Sequence, residues 1–65
     1  MINFNQLNEK AKLDFVKRDG LFIRNILNPS EILQLAAINE NVDVYEFIFN
    51  PTKKARLLYK LKTIV

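Results

Sequence analysis

Two copies of one motif decide the fold: Ile26-Leu27-Asn28-Pro29-Ser30 and, further along the chain, Ile48-Phe49-Asn50-Pro51-Thr52. The similarity extends beyond the motif, because residues 16–37 align without a gap on residues 38–59. Identical or similar residues then pair at several further positions, including Val16 with Ile38, Ala36 with Leu58 and Leu35 with Leu57. An internal period of this length is typical of stacked repeat proteins. The sequence therefore predicts an all-α fold, a miniature α-solenoid of about three 22-residue repeats, each made of a long helix and a short helix.

A third, weaker copy of the repeat lies upstream. Phe4 matches Ile26, Ala11 matches Leu33, and Leu13 matches Leu35. Residues 1–65 are thus expected to form a single helical-repeat domain, with repeats at approximately 1–27, 28–49 and 50–65. Long helices are predicted at residues 8–18, 29–38 and 51–63, and short helices at residues 21–27 and 42–49.

The motif also contains helix-start signals. Asn28 and Asn50 are predicted to be helix N-caps, each followed by proline at the first helical position. Glu31 would complete a capping box by reaching back to the Asn28 amide. Asp19 and Gly20 are expected to end the first helix, with Gly20, the only glycine, at the C′ position just after it. The central helix is predicted to bury Leu35 most deeply, followed by Ile32, Ala36 and Ile38.

Composition excludes several kinds of function. The 65 residues include no Cys and no His, so a disulfide, a zinc site or a histidine-based catalytic relay is not expected. A single glycine cannot build a phosphate-binding loop. No cofactor, metal or catalytic residue is predicted, and we do not expect an enzyme. No apolar run approaches the roughly 20 residues of a membrane span, and no signal-peptide pattern is present, which predicts a cytoplasmic protein.

The segment from Ile26 to Asn41 resembles a family of short α-helical repeats that is common in large-phage and some bacterial proteins. Those repeats read I-x-N-P-S-E-x-x-Q-L-A-A-V-x-x-N and often follow a V-K-Q-N/D-G turn, which residues 16–20 match closely. The resemblance covers roughly residues 11–60, and the alternation of long and short helices is also similar to leucine-rich-variant and HEAT-type solenoids. It implies a helical solenoid and, by association, a phage-type protein that acts in the host cytoplasm. It supplies no catalytic residues, and the last copy departs from the pattern at residues 53–60.

Charge is divided unevenly along the chain. Residues 1–50 carry all seven acidic residues and five basic ones, whereas residues 51–65 carry five basic residues and no acid. Lys53 and Lys54 stand in the first turn of the last predicted helix, where the helix dipole disfavours cations. On a helical wheel Lys53, Arg56 and Lys60 form one ridge, with Tyr59 beside it and the apolar residues Leu57, Leu58, Leu61, Ile64 and Val65 expected on the opposite side.

These features predict a partner-binding surface formed by Lys53, Lys54, Arg56, Tyr59 and Lys60. The favoured partner is another protein with an acidic surface. The sharpest version of this hypothesis is a phage-type inhibitor or modulator of a host defence or regulatory protein. The alternative is a small basic accessory protein that binds nucleic acid. Two further interpretations stay open: the basic residues only keep the protein soluble, or the uncapped C-terminal end supports a homo-oligomer. Aromatic residues of the short helices, such as Phe47 and Phe49, are additional candidate anchors.

Overall fold

A computed structural model describes residues 6–64, and within that range every regular element is a helix and there is no β-strand. Three α-helices alternate with two 3₁₀ helices. The α-helices are α1 (Glu9–Arg18), α2 (Glu31–Glu40) and α3 (Lys53–Thr63); the first 3₁₀ helix is Gly20–Asn25 and the second is Val42–Phe47. The prediction of an all-α protein is confirmed. The matches proposed for Phe4 and the position of Val65 lie outside the described residues.

Residues at equivalent positions of the sequence repeat adopt the same local structure. Asn8, Ser30 and Thr52 are the N-caps of the three α-helices, and all three have extended dihedral angles near φ −70° and ψ 166°. Each side chain accepts a hydrogen bond from the backbone N–H three residues ahead, at 2.8 Å for Asn8, 3.4 Å for Ser30 and 3.2 Å for Thr52. Equivalent residues therefore start equivalent helices.

The prediction that Asn28 and Asn50 cap these helices is wrong, although the two residues do share one conformation. Both are left-handed, with φ of 48° and 57°, and they turn the chain two residues before the cap. Asparagine tolerates this conformation better than most residues. With Ser30 as the cap, Glu31 occupies the first helical position, so the predicted capping box does not form. A carboxylate in this first turn still complements the helix dipole.

The junction between each long helix and its short helix is also repeated. Asp19 and Asn41 have nearly the same dihedral angles, φ −150° or −151° and ψ 104°. Each side chain accepts a hydrogen bond from the N–H two residues ahead, at 3.0 and 3.1 Å. The short helices that follow are 3₁₀ helices of six residues, which end earlier than the predicted residues 27 and 49.

Gly20 is required for close packing and not for a left-handed turn. It directly follows the C-cap residue Asp19, which confirms the predicted C′ position, but it has no positive φ. A Cβ atom at this position would lie 2.8 Å from the Ala37 carbonyl oxygen and 3.0 Å from Glu40 Oε1. The Gly20 N–H also donates a hydrogen bond to that Glu40 carboxylate. The first 3₁₀ helix can therefore approach the C-terminal half of α2 only because residue 20 lacks a side chain.

Helix α2 is the centre of the molecule. It packs against α1, α3 and both 3₁₀ helices, whereas α1 and α3 have at most marginal contact with each other. The predicted burial of Ile38 is confirmed, but Leu35 and Ala36 are only half-buried and Ile32 is 60% exposed. The buried side of α2 differs from the predicted one because this helix is apolar on most sides, so its sequence does not single out one buried side. Its buried residues are Leu33, Gln34, Ala37 and Ile38.

Gln34 is a buried polar residue that connects two turns of the chain. Its side chain is 4% exposed. The Nε2 atom donates to the Pro29 carbonyl oxygen at 3.0 Å, and Oε1 accepts from the Thr52 N–H at 2.9 Å. The turn before α2 and the turn before α3 are thus joined through one amide group, which satisfies both of its hydrogen-bonding ends.

Candidate partner-binding surface on helix α3

The inner side of α3 fixes this helix against the rest of the molecule. Ala55 is fully buried, and Leu58 is half-buried against the core. The Tyr59 ring stacks on the Tyr45 ring of the second 3₁₀ helix, with centroids 4.0 Å apart and planes 10° from parallel. Thr52 caps the helix start. The outer side of α3 is therefore presented in a defined orientation.

All four predicted basic residues lie on that outer side. Lys53, Lys54, Arg56 and Lys60 are exposed, and none of them forms an ion pair with any residue between 6 and 64. Lys53, Arg56 and Lys60 line a shallow groove of about 310 Å³ together with Leu57. The structure thus brings these three cations together. Tyr59 adjoins them along the helix, but its ring is half-buried in the stack with Tyr45.

The apolar residues of α3 are not where the helical wheel was expected to place them. Leu57, Leu61 and Ile64 are exposed, at 57%, 62% and 71%. With 100° per residue they lie directly beside the Lys53 ridge, not opposite it. Only Leu58, of the predicted apolar set within the described residues, faces the core. The outer side of α3 therefore has an apolar strip (Leu57, Leu61, Ile64) with the basic ridge (Lys53, Arg56, Lys60) along one edge and Lys54 along the other.

Comparison with α2 explains why this side is uncovered. Gln34 and Ile38 of α2 are buried on the side that meets neighbouring helices. The equivalent positions of the next repeat hold Arg56 and Lys60, and both are exposed. Exposed cations of α3 therefore occupy the positions that hold buried residues in α2.

Neither a metal centre nor a membrane-crossing helix is found within the described part of the chain. Across residues 6–64, no three His, Cys, Asp or Glu side chains are grouped so that they could hold a metal ion. None of the helices formed by these residues has the combination of length and apolar character needed to cross a bilayer.

A second surface, on the side of the 3₁₀ helices, was only partly anticipated. A cavity of about 210 Å³ lies between the two 3₁₀ helices and the turns that follow them, and its lining includes Arg24, Leu27, Phe47 and Phe49. Phe47 and Phe49 were candidate anchors, but nothing in the sequence indicated that Arg24 contacts Phe47. The one available signal was that Leu27 and Phe49 occupy equivalent positions of successive repeats.

No protein family matches the chain, and no curated protein or solved structure is detectably similar to it.

Proposed function

We propose that the protein is a miniature α-solenoid that functions as a non-enzymatic binding module, and that the outer side of α3 contacts an acidic surface of another protein. The observation that carries the proposal is the replacement of buried Gln34 and Ile38 by exposed Arg56 and Lys60 at the equivalent positions. The equivalent caps and turns at the spacing of the sequence repeat support the solenoid class.

The combination of charge and apolar area favours a binding surface over a face that only confers solubility. Solubility requires dispersed charge and few exposed aliphatic side chains. By contrast, Leu57 and Leu61 are exposed one turn apart on α3, Ile64 follows as the exposed C-cap residue, and cations border this strip. Protein interfaces commonly combine an apolar centre with a polar rim. An amphipathic acidic segment would cover the strip and neutralise the ridge at the same time.

The cations on this side also determine which partners fit. A second copy of α3 packed against the first would bring two basic ridges together, and like charges in an interface cost affinity. We therefore propose an acidic partner rather than a homo-oligomer formed through this end. Single-stranded nucleic acid is recognised largely by stacking on exposed aromatic rings, and the only aromatic residue of α3, Tyr59, is already stacked on Tyr45.

The narrower proposal is a phage-type inhibitor or modulator of a host defence or regulatory protein. It is supported only by the resemblance of residues 26–41 to repeats that occur in phage proteins. It also requires the partner to lose activity in the complex, which a binding measurement alone does not address.

The experiment is affinity capture from a bacterial lysate with three forms of the protein in parallel. The wild type is compared with the double variant Lys53→Glu, Arg56→Glu and with a matched control, Lys10→Glu, Lys17→Glu, which changes the net charge equally on exposed positions of α1. The proposal expects one acidic protein to be captured by the wild type and the control but not by the α3 variant, and to form a stoichiometric complex when purified.

Two results would contradict the proposal. Capture that is equal on all three forms would show that α3 is not the binding surface. Capture that is lost after nuclease treatment, together with a gel shift of single- or double-stranded nucleic acid by the wild type, would favour the alternative function in nucleic-acid binding.

A further inference from the structure

The cavity between the two 3₁₀ helices contains the most exposed aromatic residue of the described chain. Phe49 is 87% exposed, and Leu27, its equivalent in the preceding repeat, is 75% exposed. Each of them directly precedes a left-handed asparagine, Asn28 or Asn50. The repeated turn therefore directs an apolar side chain to the surface in both copies, and both side chains line the same cavity of about 210 Å³.

Arg24 places a positive charge at one edge of this cavity. Its guanidinium carbon lies 4.7 Å from the centroid of the Phe47 ring, a cation–π geometry that holds the group at the cavity edge. Arg24 is exposed, and no carboxylate among residues 6–64 forms an ion pair with it, so its N–H groups are accessible to a ligand. A fixed guanidinium next to an apolar recess is suited to a ligand that has a carboxylate close to an apolar side chain.

The size of the cavity limits what it can hold. Small-molecule and cofactor sites usually have volumes of roughly 300–1,000 Å³, and this cavity is smaller than that. It is sufficient for one large aliphatic or aromatic side chain. The surrounding apolar surface, formed mainly by Leu27, Phe47 and Phe49, is on the order of 300–500 Å², because an aromatic side chain contributes about 150–250 Å². A stable dimer needs about 800 Å² per partner, so the patch is too small to explain a second copy.

We infer that this cavity is a second docking site, which takes a short linear peptide that inserts one large apolar side chain between Leu27 and Phe49 and places a nearby carboxylate on Arg24. Neighbouring side chains on one face of an extended peptide are about 7 Å apart, so the carboxylate lies within two to four residues of the apolar anchor. The site is independent of the α3 surface and does not rest on the function proposed for it.

The test begins with a library of random 12-residue peptides displayed on phage. The library is selected on the immobilised wild-type protein after subtraction on the Phe49→Ser variant, and the best peptides are synthesised for measurement of their dissociation constants. Phe49→Ser is expected to keep the fold because the ring is mostly in solvent, and Leu27→Ser serves as a second variant if it does not. Thermal unfolding and amide NMR spectra establish which variants are folded.

The expected result is enrichment of peptides with Asp or Glu two to four residues from a large apolar residue. Binding should weaken roughly tenfold or more in Phe49→Ser, as for an interface anchor. It should weaken roughly two- to fivefold in Arg24→Gln, as for an exposed ion pair, and that variant should no longer prefer Glu over Gln in the peptide. Ile32→Ser, which alters an apolar residue that is 60% exposed and does not line the cavity, should bind as well as the wild type.

Three results would overturn the inference. The first is selection that yields no peptide dependent on Phe49 or Leu27. The second is enrichment of peptides without an acidic residue, or peptide binding that Arg24→Gln leaves unchanged. The third is sedimentation of the wild type as a dimer that Phe49→Ser converts to a monomer, because the patch would then be occupied by a second copy of the chain.

Discussion

Replacing Gln34 with Leu removes two partly buried hydrogen bonds while keeping most of the side-chain volume. The change leaves the Pro29 carbonyl and the Thr52 N–H without the partners that Gln34 provides at 3.0 and 2.9 Å. An unsatisfied, partly buried polar group costs about 1–3 kcal/mol. Both backbone groups belong to half-buried residues, so we take about 1–2 kcal/mol for each, which sums to about 2–4 kcal/mol.

Burying a leucine in place of an amide recovers part of this loss, on the order of 1 kcal/mol. The expected net destabilisation is therefore about 1–3 kcal/mol. For a domain of this size each kcal/mol lowers the melting temperature by roughly 4–8 °C, which gives a decrease of roughly 5–20 °C. Total stability is expected to be only about 3–10 kcal/mol, so a loss of this size removes a measurable fraction of it.

Two measurements test this prediction. Thermal unfolding followed by circular dichroism gives the change in melting temperature, and amide hydrogen exchange reports on Thr52, whose protection should fall in Gln34→Leu. Gln6→Leu is the matched control, because Gln6 is exposed and its replacement should leave both quantities near the wild-type values. A Gln34→Leu variant that melts at or above the wild-type temperature would refute the claim that this side chain joins the two turns.

Four further predictions concern stability and can be measured by denaturant unfolding. Gly20→Ala should cost about 1–3 kcal/mol, because its Cβ would lie 2.8 Å from the Ala37 carbonyl oxygen; an unchanged variant would mean that the first 3₁₀ helix is less closely packed than described. Ser30→Ala should cost about 0.5–2 kcal/mol as the loss of a helix cap, and a variant as stable as the wild type would contradict the capping assignment. Asn28→Gly should be nearly neutral, because glycine adopts the observed φ of 48° without strain; a loss as large as that of Ser30→Ala would show that the Asn28 side chain contributes to the helix start after all. Leu33→Ala should cost roughly 2–5 kcal/mol and Leu35→Ala clearly less, since Leu33 is buried and Leu35 only half-buried; the reverse order would restore the wheel of α2 predicted from the sequence.

The sequence was sufficient to predict the helical class and the approximate position of every helix, because the repeat period and the Asn-Pro-Ser/Thr motif are strong local signals. It did not show which residue of that motif caps the helix. Asn28 and Ser30 are both good caps, and the choice depends on tertiary contacts: with Ser30 as the cap, the Pro29 carbonyl is free to accept from Gln34. The buried side of α2 was harder still to predict, because the sequence of a helix that is apolar on most sides does not indicate which side is most buried.

The sequence predicted the basic residues of the candidate surface on α3 but not the position of its apolar residues. The uneven charge and the ridge of Lys53, Arg56 and Lys60 followed from the sequence. The apolar strip beside that ridge was expected on the wrong side, because Leu57 and Leu61 have the residue type of core positions but are exposed. Only the structure shows that no further helix within the described residues covers them. The contact between Arg24 and Phe47 joins two different short helices, and no local pattern predicts such a contact.

The double variant Lys53→Glu, Arg56→Glu should remain folded. Acidic residues in the first turn suit the helix dipole, and each contributes about 0.3–1 kcal/mol there, so its melting temperature should equal or slightly exceed that of the wild type. This property makes the variant suitable for a binding test, because a loss of affinity cannot then be attributed to unfolding.

The dissociation constant of the purified complex with the captured protein, measured for the wild type and for Lys53→Glu, Arg56→Glu at low and at high salt, tests the proposed function of α3 most directly. Exposed charges are screened over roughly 8–10 Å at physiological ionic strength. We predict that the charge reversal weakens binding roughly tenfold or more, and that wild-type affinity decreases as salt is raised. An affinity that is the same for both proteins and at both salt concentrations would contradict the proposal that the basic side of α3 is a binding surface.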